Sequence, residues 1–187
     1  MQLENCSQIF TLGPEGTFSD EAAQKICGDG VIVPYTSTFA EALFRVTEEP
    51  DSVAVVPIEN SVAGTVAQVQ DSLVNNKLII MGEINLLIEY SLLANVAPEN
   101  VKLCYAHPQA LEQSIKFLSK NLTASQNQLT KSNVDSGIQF LHAIKSDDKA
   151  VAAIVPASFA DSYPEWKVAS GIQDYHNNTT RLSLIHI

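Results

Sequence analysis

Short apolar runs alternate along this chain with stretches whose apolar positions recur every three or four residues. Residues 9–12 form a compact apolar run that stops at Gly13 and Pro14, which predicts a strand and then a turn. Residues 17–26 read as the start of a helix. Thr17 or Ser19 can cap it, and Asp20 and Glu21 stand in the first turn, where the helix dipole favours negative charge. Residues 31–33 predict a second strand. Thr38 caps a helix over 39–46, whose apolar positions repeat at helical spacing. Residues 52–58 are almost continuously apolar, as in a strand buried on both faces, and a further helix is expected over 64–74.

This alternation predicts a parallel sheet with helices on its faces. The rhythm breaks at residues 78–96, which are nearly all apolar and interrupted by Gly82 and Glu83. The stretch is too long for one strand and lacks helical periodicity, so it predicts two strands, the second entering a new lobe. Alternation then resumes: strand 103–106, helix 108–121, a polar loop over 123–128, strand 129–131, helix 134–145, strand 150–155, short helix 156–163 and a weak strand 166–169. The last apolar run, LSLIHI at 182–187, most simply returns to the first lobe. The expectation is an α/β protein of two lobes with a cleft between them, divided as residues 1–81 plus 172–187 and residues 82–171. Crossings near Gly82 and Gly171 would suit a hinge.

Composition narrows the function classes. The chain has 187 residues, 45% hydrophobic and 17% charged, enough for two small lobes with real cores. Its net charge of −10 argues against nucleic acid and anionic membranes as partners. Three cysteines, Cys6, Cys27 and Cys104, are odd in number and far apart, which suggests reduced thiols and a cytoplasmic setting. The N-terminal stretch has no basic region or long apolar run, so no signal peptide is evident. The four histidines do not fall at metal-ligand spacing, and neither metal nor cofactor is expected.

Four polar motifs sit at the predicted strand ends, where ligands bind in open α/β sheets. GPEGTFS at 13–19 has two glycines that let backbone N–H groups approach a ligand at a helix start; a tight strand-to-helix turn is the simpler alternative. VPIENS at 56–61 places an amide, Asn60, and a hydroxyl, Ser61, at a strand end, where either can bond a carboxylate or hydroxyl. Ser61 or Thr65 can instead cap the next helix. Glu59 would repel an anionic ligand, so it is expected to pair with a protein donor, with Arg181 a candidate. HPQAL at 107–111 sets His107 before a helix that opens on Pro, a favoured first position. His107 can serve as acid, base or donor, and a helix N-terminus favours its neutral form. QDYHNNTTR at 173–181 reads as a polar turn entering the final strand, bringing Asn178, Thr180 and Arg181 to a fixed place. Arg181 offers a planar fork for a carboxylate.

In this order and spacing, the four motifs resemble the catalytic domain of prephenate dehydratase, over nearly the whole chain. The resemblance implies two lobes of the periplasmic-binding-protein type (type II) with the active site in the cleft. It implies conversion of prephenate to phenylpyruvate with loss of carbon dioxide and water, driven by aromatisation of the ring, in phenylalanine biosynthesis. By motif match, Thr180 stands where the family places a Thr at the leaving hydroxyl, and Arg181 matches a carboxylate-binding Arg. A Thr hydroxyl is a very weak acid, so its expected role is a donor that stabilises developing hydroxide. The expected catalytic set is Thr180, Arg181 and His107, with Thr17, Asn60, Ser61, Gln109 and Asn178 binding substrate and Glu59 behind them. Because prephenate is a dianion, binding by a chain of this charge must rely on such local donors. A cytoplasmic homodimer is expected.

The sequence departs from the family pattern at Leu182, where Phe is usual after Thr-Arg, at Ala106 for Ser, and at Tyr90 for His. Most members also carry a C-terminal ACT domain that binds phenylalanine, and the expectation here is the catalytic domain without it. Two alternatives stand beside the dehydratase. One is a prephenate decarboxylase of specialised metabolism that keeps the ring hydroxyl. The other is a non-enzymatic binder of a small carboxylate.

Overall fold

The computed structural model describes residues 6–146 and 148–187. The first lobe's expected start and the N-terminal stretch read for a signal peptide therefore fall partly outside the described residues. In chain order the first elements are β1 (Gln8–Leu12), α1 (Phe18–Ile26), β2 (Tyr35–Thr36), α2 (Phe39–Glu48), β3 (Ser52–Asn60), β4 (Gly64–Thr65), α3 (Ala67–Asn76) and β5 (Ile79–Leu87). There follow β6 (Tyr90–Ala94), β7 (Leu103–Ala106), α4 (Pro108–Glu112), α5 (Ile115–Asn121), β8 (Gln126–Leu129), α6 (Asn133–Lys145), β9 (Val151–Pro156), α7 (Ala157–Asp161) and β10 (Lys167–Ser170). The chain ends on β11 (Thr179–His186). No helix among the described residues is long and apolar enough to cross a membrane.

The chain divides into two compact units, Met1–Ile88 with Asn177–Ile187, and Glu89–His176. The first holds a six-stranded sheet in the order β2-β1-β3-β11-β5, with β4 against β3. β1 runs parallel to β2 and β3, whereas β11 is antiparallel to both β3 and β5. Its core joins Phe10, Leu43, Val46, Val56 and Ile185 from strands and from the apolar stripe of α2. That helix begins as its sequence predicts: Thr38 Oγ1 accepts from the Glu41 N–H at 3.1 Å, and Glu41 Oε2 accepts from the Ser37 N–H at 2.8 Å, a reciprocal cap.

The second unit holds a five-stranded sheet, β10-β6-β9-β7-β8. β7 is parallel to β8 and β9, and β6 is antiparallel to β9 and β10. Read from β8, this is the strand arrangement of the first unit, with the antiparallel strand again second from one edge. Phe140 of α6 packs with Leu93, Val151 and Val155 in its core, and Trp166 meets the Phe140 ring edge-on at 6.3 Å.

Several elements fall elsewhere than the pattern predicts. The strand expected at 31–33 is reduced to a single bridge, Gln8 to Ile32, and the regular ladder forms only after Pro34, which has no N–H to give it. The helix expected from residue 64 starts at Ala67, because Gly64 and Thr65 pair back onto Asn60 and Glu59. The single helix expected over 108–121 is broken at Gln113 and Ser114. Asp174 takes over there: its N–H donates to the Gln113 carbonyl at 2.6 Å, and its carboxylate accepts from the Lys116 N–H at 3.0 Å. The strand expected at 129–131 forms three residues earlier as β8, an exposed edge strand that takes in half of the predicted polar loop. The boundaries near Gly82 and Gly171 move to Ile88/Glu89 and His176/Asn177. Gly82 lies inside β5, which stays paired with β11 from Ile79 to Leu87.

Candidate functional site

In the first unit, the carboxyl ends of β1 and β3 and the start of β11 lie at one end of the sheet. β11 starts earlier than predicted, so Thr179, Thr180 and Arg181 belong to an internal strand rather than a turn. Antiparallel pairing sets Thr180 opposite Asn60 and Arg181 opposite Glu59.

Asn60 is buried and uses both ends of its amide. Its Oδ1 accepts from the N–H groups of Val62 and Ala63, at 3.0 and 2.8 Å, closing the turn after β3. Two backbone donors on one atom identify that atom as the oxygen. Nδ2 must then donate, and it does so to Asn178 Oδ1 at 2.7 Å and Thr180 Oγ1 at 2.9 Å. The Thr180 oxygen is thus an acceptor, and among the described residues its hydroxyl hydrogen has no acceptor. Asn178 is itself buried, its carbonyl accepting from the Ile88 N–H at 2.7 Å.

Ser61 does not cap the following helix, and neither does Thr65; Val66 stands at that position with no side-chain cap. Ser61 instead ties β3 to the start of β11. Its N–H donates to the Thr179 carbonyl at 2.9 Å, and its hydroxyl accepts from the Thr179 N–H at 2.9 Å and donates to the Asn177 carbonyl at 3.4 Å.

Arg181 follows Thr180 directly, and successive strand residues point to opposite faces. Its Nη2 donates to Glu59 Oε2 and its Nη1 to Glu83 Oε1, each at 3.0 Å. Glu83 also accepts from Ser183 Oγ at 3.4 Å. Glu83 was not singled out from the sequence. The signal for it was a lone carboxylate inside the apolar stretch 78–88.

Thr17 caps α1, accepting from the Asp20 N–H at 3.3 Å and donating to the Leu12 carbonyl at 3.1 Å. The Gly16 N–H goes to Asp20 Oδ2 at 2.8 Å, and Asp20 Oδ1 accepts from the Tyr35 hydroxyl at 2.9 Å. Burial, and then that hydrogen bond to a carboxylate, push Tyr35 up to about 12. Asp20 therefore occupies part of the donor set that the glycine loop would offer an anion.

His107 and Gln109 belong to the second unit, after the carboxyl end of β7. His107 Nδ1 accepts from the Gln109 N–H at 3.3 Å, which leaves the proton of the neutral ring on Nε2. Burial lowers its pKa below the ordinary 6.5, against a smaller upward pull from Glu112. The neutral form expected from sequence is thus favoured, with desolvation as the first cause. Tyr90 is fully buried, and burial raises its pKa.

Comparison with known proteins follows the same lines. Residues 9–187 match the family model described as prephenate dehydratase. The bifunctional chorismate mutase/prephenate dehydratase of Pseudomonas aeruginosa is 32% identical over 187 residues, covering 99% of this chain and 50% of its own length. The prephenate dehydratase of Methanocaldococcus jannaschii is 32% identical over 185 residues, covering 97% of this chain and 65% of its own. Thus the chain spans about half to two thirds of the length of these relatives. The crystal structure of an Arthrobacter aurescens prephenate dehydratase in complex with L-Phe superposes with a TM-score of 0.82 at 28% identity, covering 96% of this chain and 59% of that one.

Proposed function

The chain belongs to the prephenate dehydratase family, and from that membership we propose that it converts prephenate to phenylpyruvate, as a lyase of phenylalanine biosynthesis. In this reaction the bond from ring to carboxylate breaks and carbon dioxide leaves. Its electron pair enters the ring as the ring C–O bond breaks, and the departing hydroxide takes up a proton to become water. The demand on the protein is a donor aimed at that oxygen while negative charge develops there.

Thr180 supplies the donor in this proposal. The observation that carries it is the fixed polarity of the Asn60 amide, which makes the Thr180 oxygen an acceptor and leaves its hydrogen for another partner. A hydroxyl bonded by an amide N–H is also more acidic than a free one, since its developing charge is already met. Thr17, Asn60, Ser61 and Asn178 are the proposed binding residues of the first unit. For the second, the proposal is His107 as a neutral donor through Nε2–H, with Gln109 as a further binding residue.

Replacing Thr180 tests the reading. Thr180→Val keeps the branched shape and removes the hydroxyl, and losing one such donor typically costs about a hundredfold or more in turnover. Thr180→Ser should retain most of it. Near-normal phenylpyruvate formation by Thr180→Val would remove Thr180 from this role.

We also propose a homodimer. Ile79, Ile80 and Met81 are exposed on β5, an edge strand of the first sheet, and such edges pair readily with a second strand. Light scattering of the purified chain tests this: a concentration-independent monomer mass would exclude it. A cytoplasmic setting is proposed on the free thiols of Cys6, Cys27 and Cys104.

A further inference from the structure

We propose that Arg181 is a positioning residue and that Glu83 anchors it, the two forming with Glu59 a clamp across β3, β11 and β5 that holds Thr180 in register. This rests on the reading of Thr180 as the donor. Three observations carry it.

First, Arg181 and Thr180 occupy opposite faces of β11. Thr180 bonds Asn60, and Arg181 bonds Glu59, the neighbour of Asn60. Secondly, both terminal nitrogens of the fork are engaged by carboxylates of the chain itself, at 3.0 Å each. One guanidinium between two carboxylates leaves the group negative, a poor place for a carboxylate of a dianionic substrate. Thirdly, the clamp spans an irregularity in the ladder. Arg181 pairs with Glu59, but Leu182 pairs with Pro57, so the register between β11 and β3 shifts directly after Arg181. Pro57 has no N–H with which to tighten that point. Bulges re-aim the residues beside them, and here the residue beside the bulge is Thr180's neighbour. Glu83 is bonded from Arg181 and from Ser183, one on each side of the shift, so it bridges the bulge from β5. The three groups are partly exposed, with side-chain accessibilities of 40% for Arg181, 51% for Glu59 and 37% for Glu83. Exposed pairs add little stability, so the expected effect is on the geometry of Thr180 rather than on folding.

The test is Glu83→Gln in the full chain, with Arg181→Lys as the second variant. Misplacing a reacting group by about 1 Å can cost on the order of a hundredfold. Accordingly, kcat on prephenate should fall roughly ten- to a hundredfold in each variant while KM changes by less than about twofold. The double variant should be no worse than the worse single. In methyl-labelled protein without substrate, the Thr180 resonance should shift in both variants. A substrate-binding Arg181 gives the opposite pattern: Glu83→Gln frees the fork and lowers KM with kcat kept, and Arg181→Lys raises KM. That pattern would overturn the clamp. So would an unmoved Thr180 resonance, and this readout decides the clamp even if wild type makes no phenylpyruvate, a result that would count only against the proposed activity.

Discussion

Replacing Asn60 with Asp changes one functional group while leaving the turn after β3 intact. The Asn60 side chain accepts two hydrogen bonds, from Val62 and Ala63, and donates to Asn178 and Thr180, with a longer bond of 3.4 Å to the Thr179 carbonyl. A carboxylate keeps the accepted pair and cannot donate. Two oxygens, Asn178 Oδ1 and Thr180 Oγ1, then face an anion without a donor between them. An unsatisfied buried group costs about 1–3 kcal/mol, so two set an upper bound of about 2–6 kcal/mol. Thr180 recovers part of this by rotating its hydroxyl to donate to the new carboxylate, and a net loss of about 1–3 kcal/mol is expected. Domains of this kind have about 5–15 kcal/mol, so the variant should remain folded. That rotation is what should abolish activity, because it turns the Thr180 hydrogen away from substrate. Turnover should fall about a hundredfold or more, as when a donor is lost outright. Urea unfolding and steady-state turnover, measured on the same preparation, read the two effects separately. A folded Asn60→Asp protein with turnover within about threefold of wild type would refute the claim that Asn60 sets the direction of the Thr180 hydroxyl.

Other outcomes follow from single groups. His107 has a pKa below its ordinary 6.5 because it is partly buried, so the unfolded chain binds its proton more readily. Its stabilising balance is therefore intact above pH 6.5 and declines as pH falls from there towards the folded-state pKa; His107→Asn, which can still cap α4, should show a shallower loss in urea melts over that window. An identical slope would mean that burial of His107 has no energetic weight. Phe140→Ala removes a fully buried ring from the second unit's core and should cost about 3–5 kcal/mol by chemical denaturation; a cost under about 1 kcal/mol would contradict that packing.

Much of this architecture was legible because its signals are local. Thr17 and Thr38 each cap the helix that follows, accepting from the N–H three residues on. The continuous apolar run of β3 announced a strand covered on both faces. What escaped was set by distant partners. The start of β8 lies on an exposed edge, so it needs no apolar residues, and its strand character comes from pairing with β7. The break between α4 and α5 depends on Asp174, about sixty residues away in the chain. Around the candidate site, motif matching gathered Asn60, Ser61, Asn178, Thr180 and Arg181 but could not divide them between faces. Strand alternation separates Thr180 from Arg181 only once both are known to lie within β11. Glu83 carries no motif, and its partners on β11 follow in sequence by about a hundred residues.

The central claim is that this chain removes the ring hydroxyl of prephenate rather than retaining it. Purified protein incubated with prephenate, with products identified by NMR, addresses that directly. The expected result is phenylpyruvate, seen as aromatic ring protons with loss of the ring carbinol signal. A decarboxylated product that keeps the ring hydroxyl and is not aromatic would contradict the account, as would unchanged prephenate.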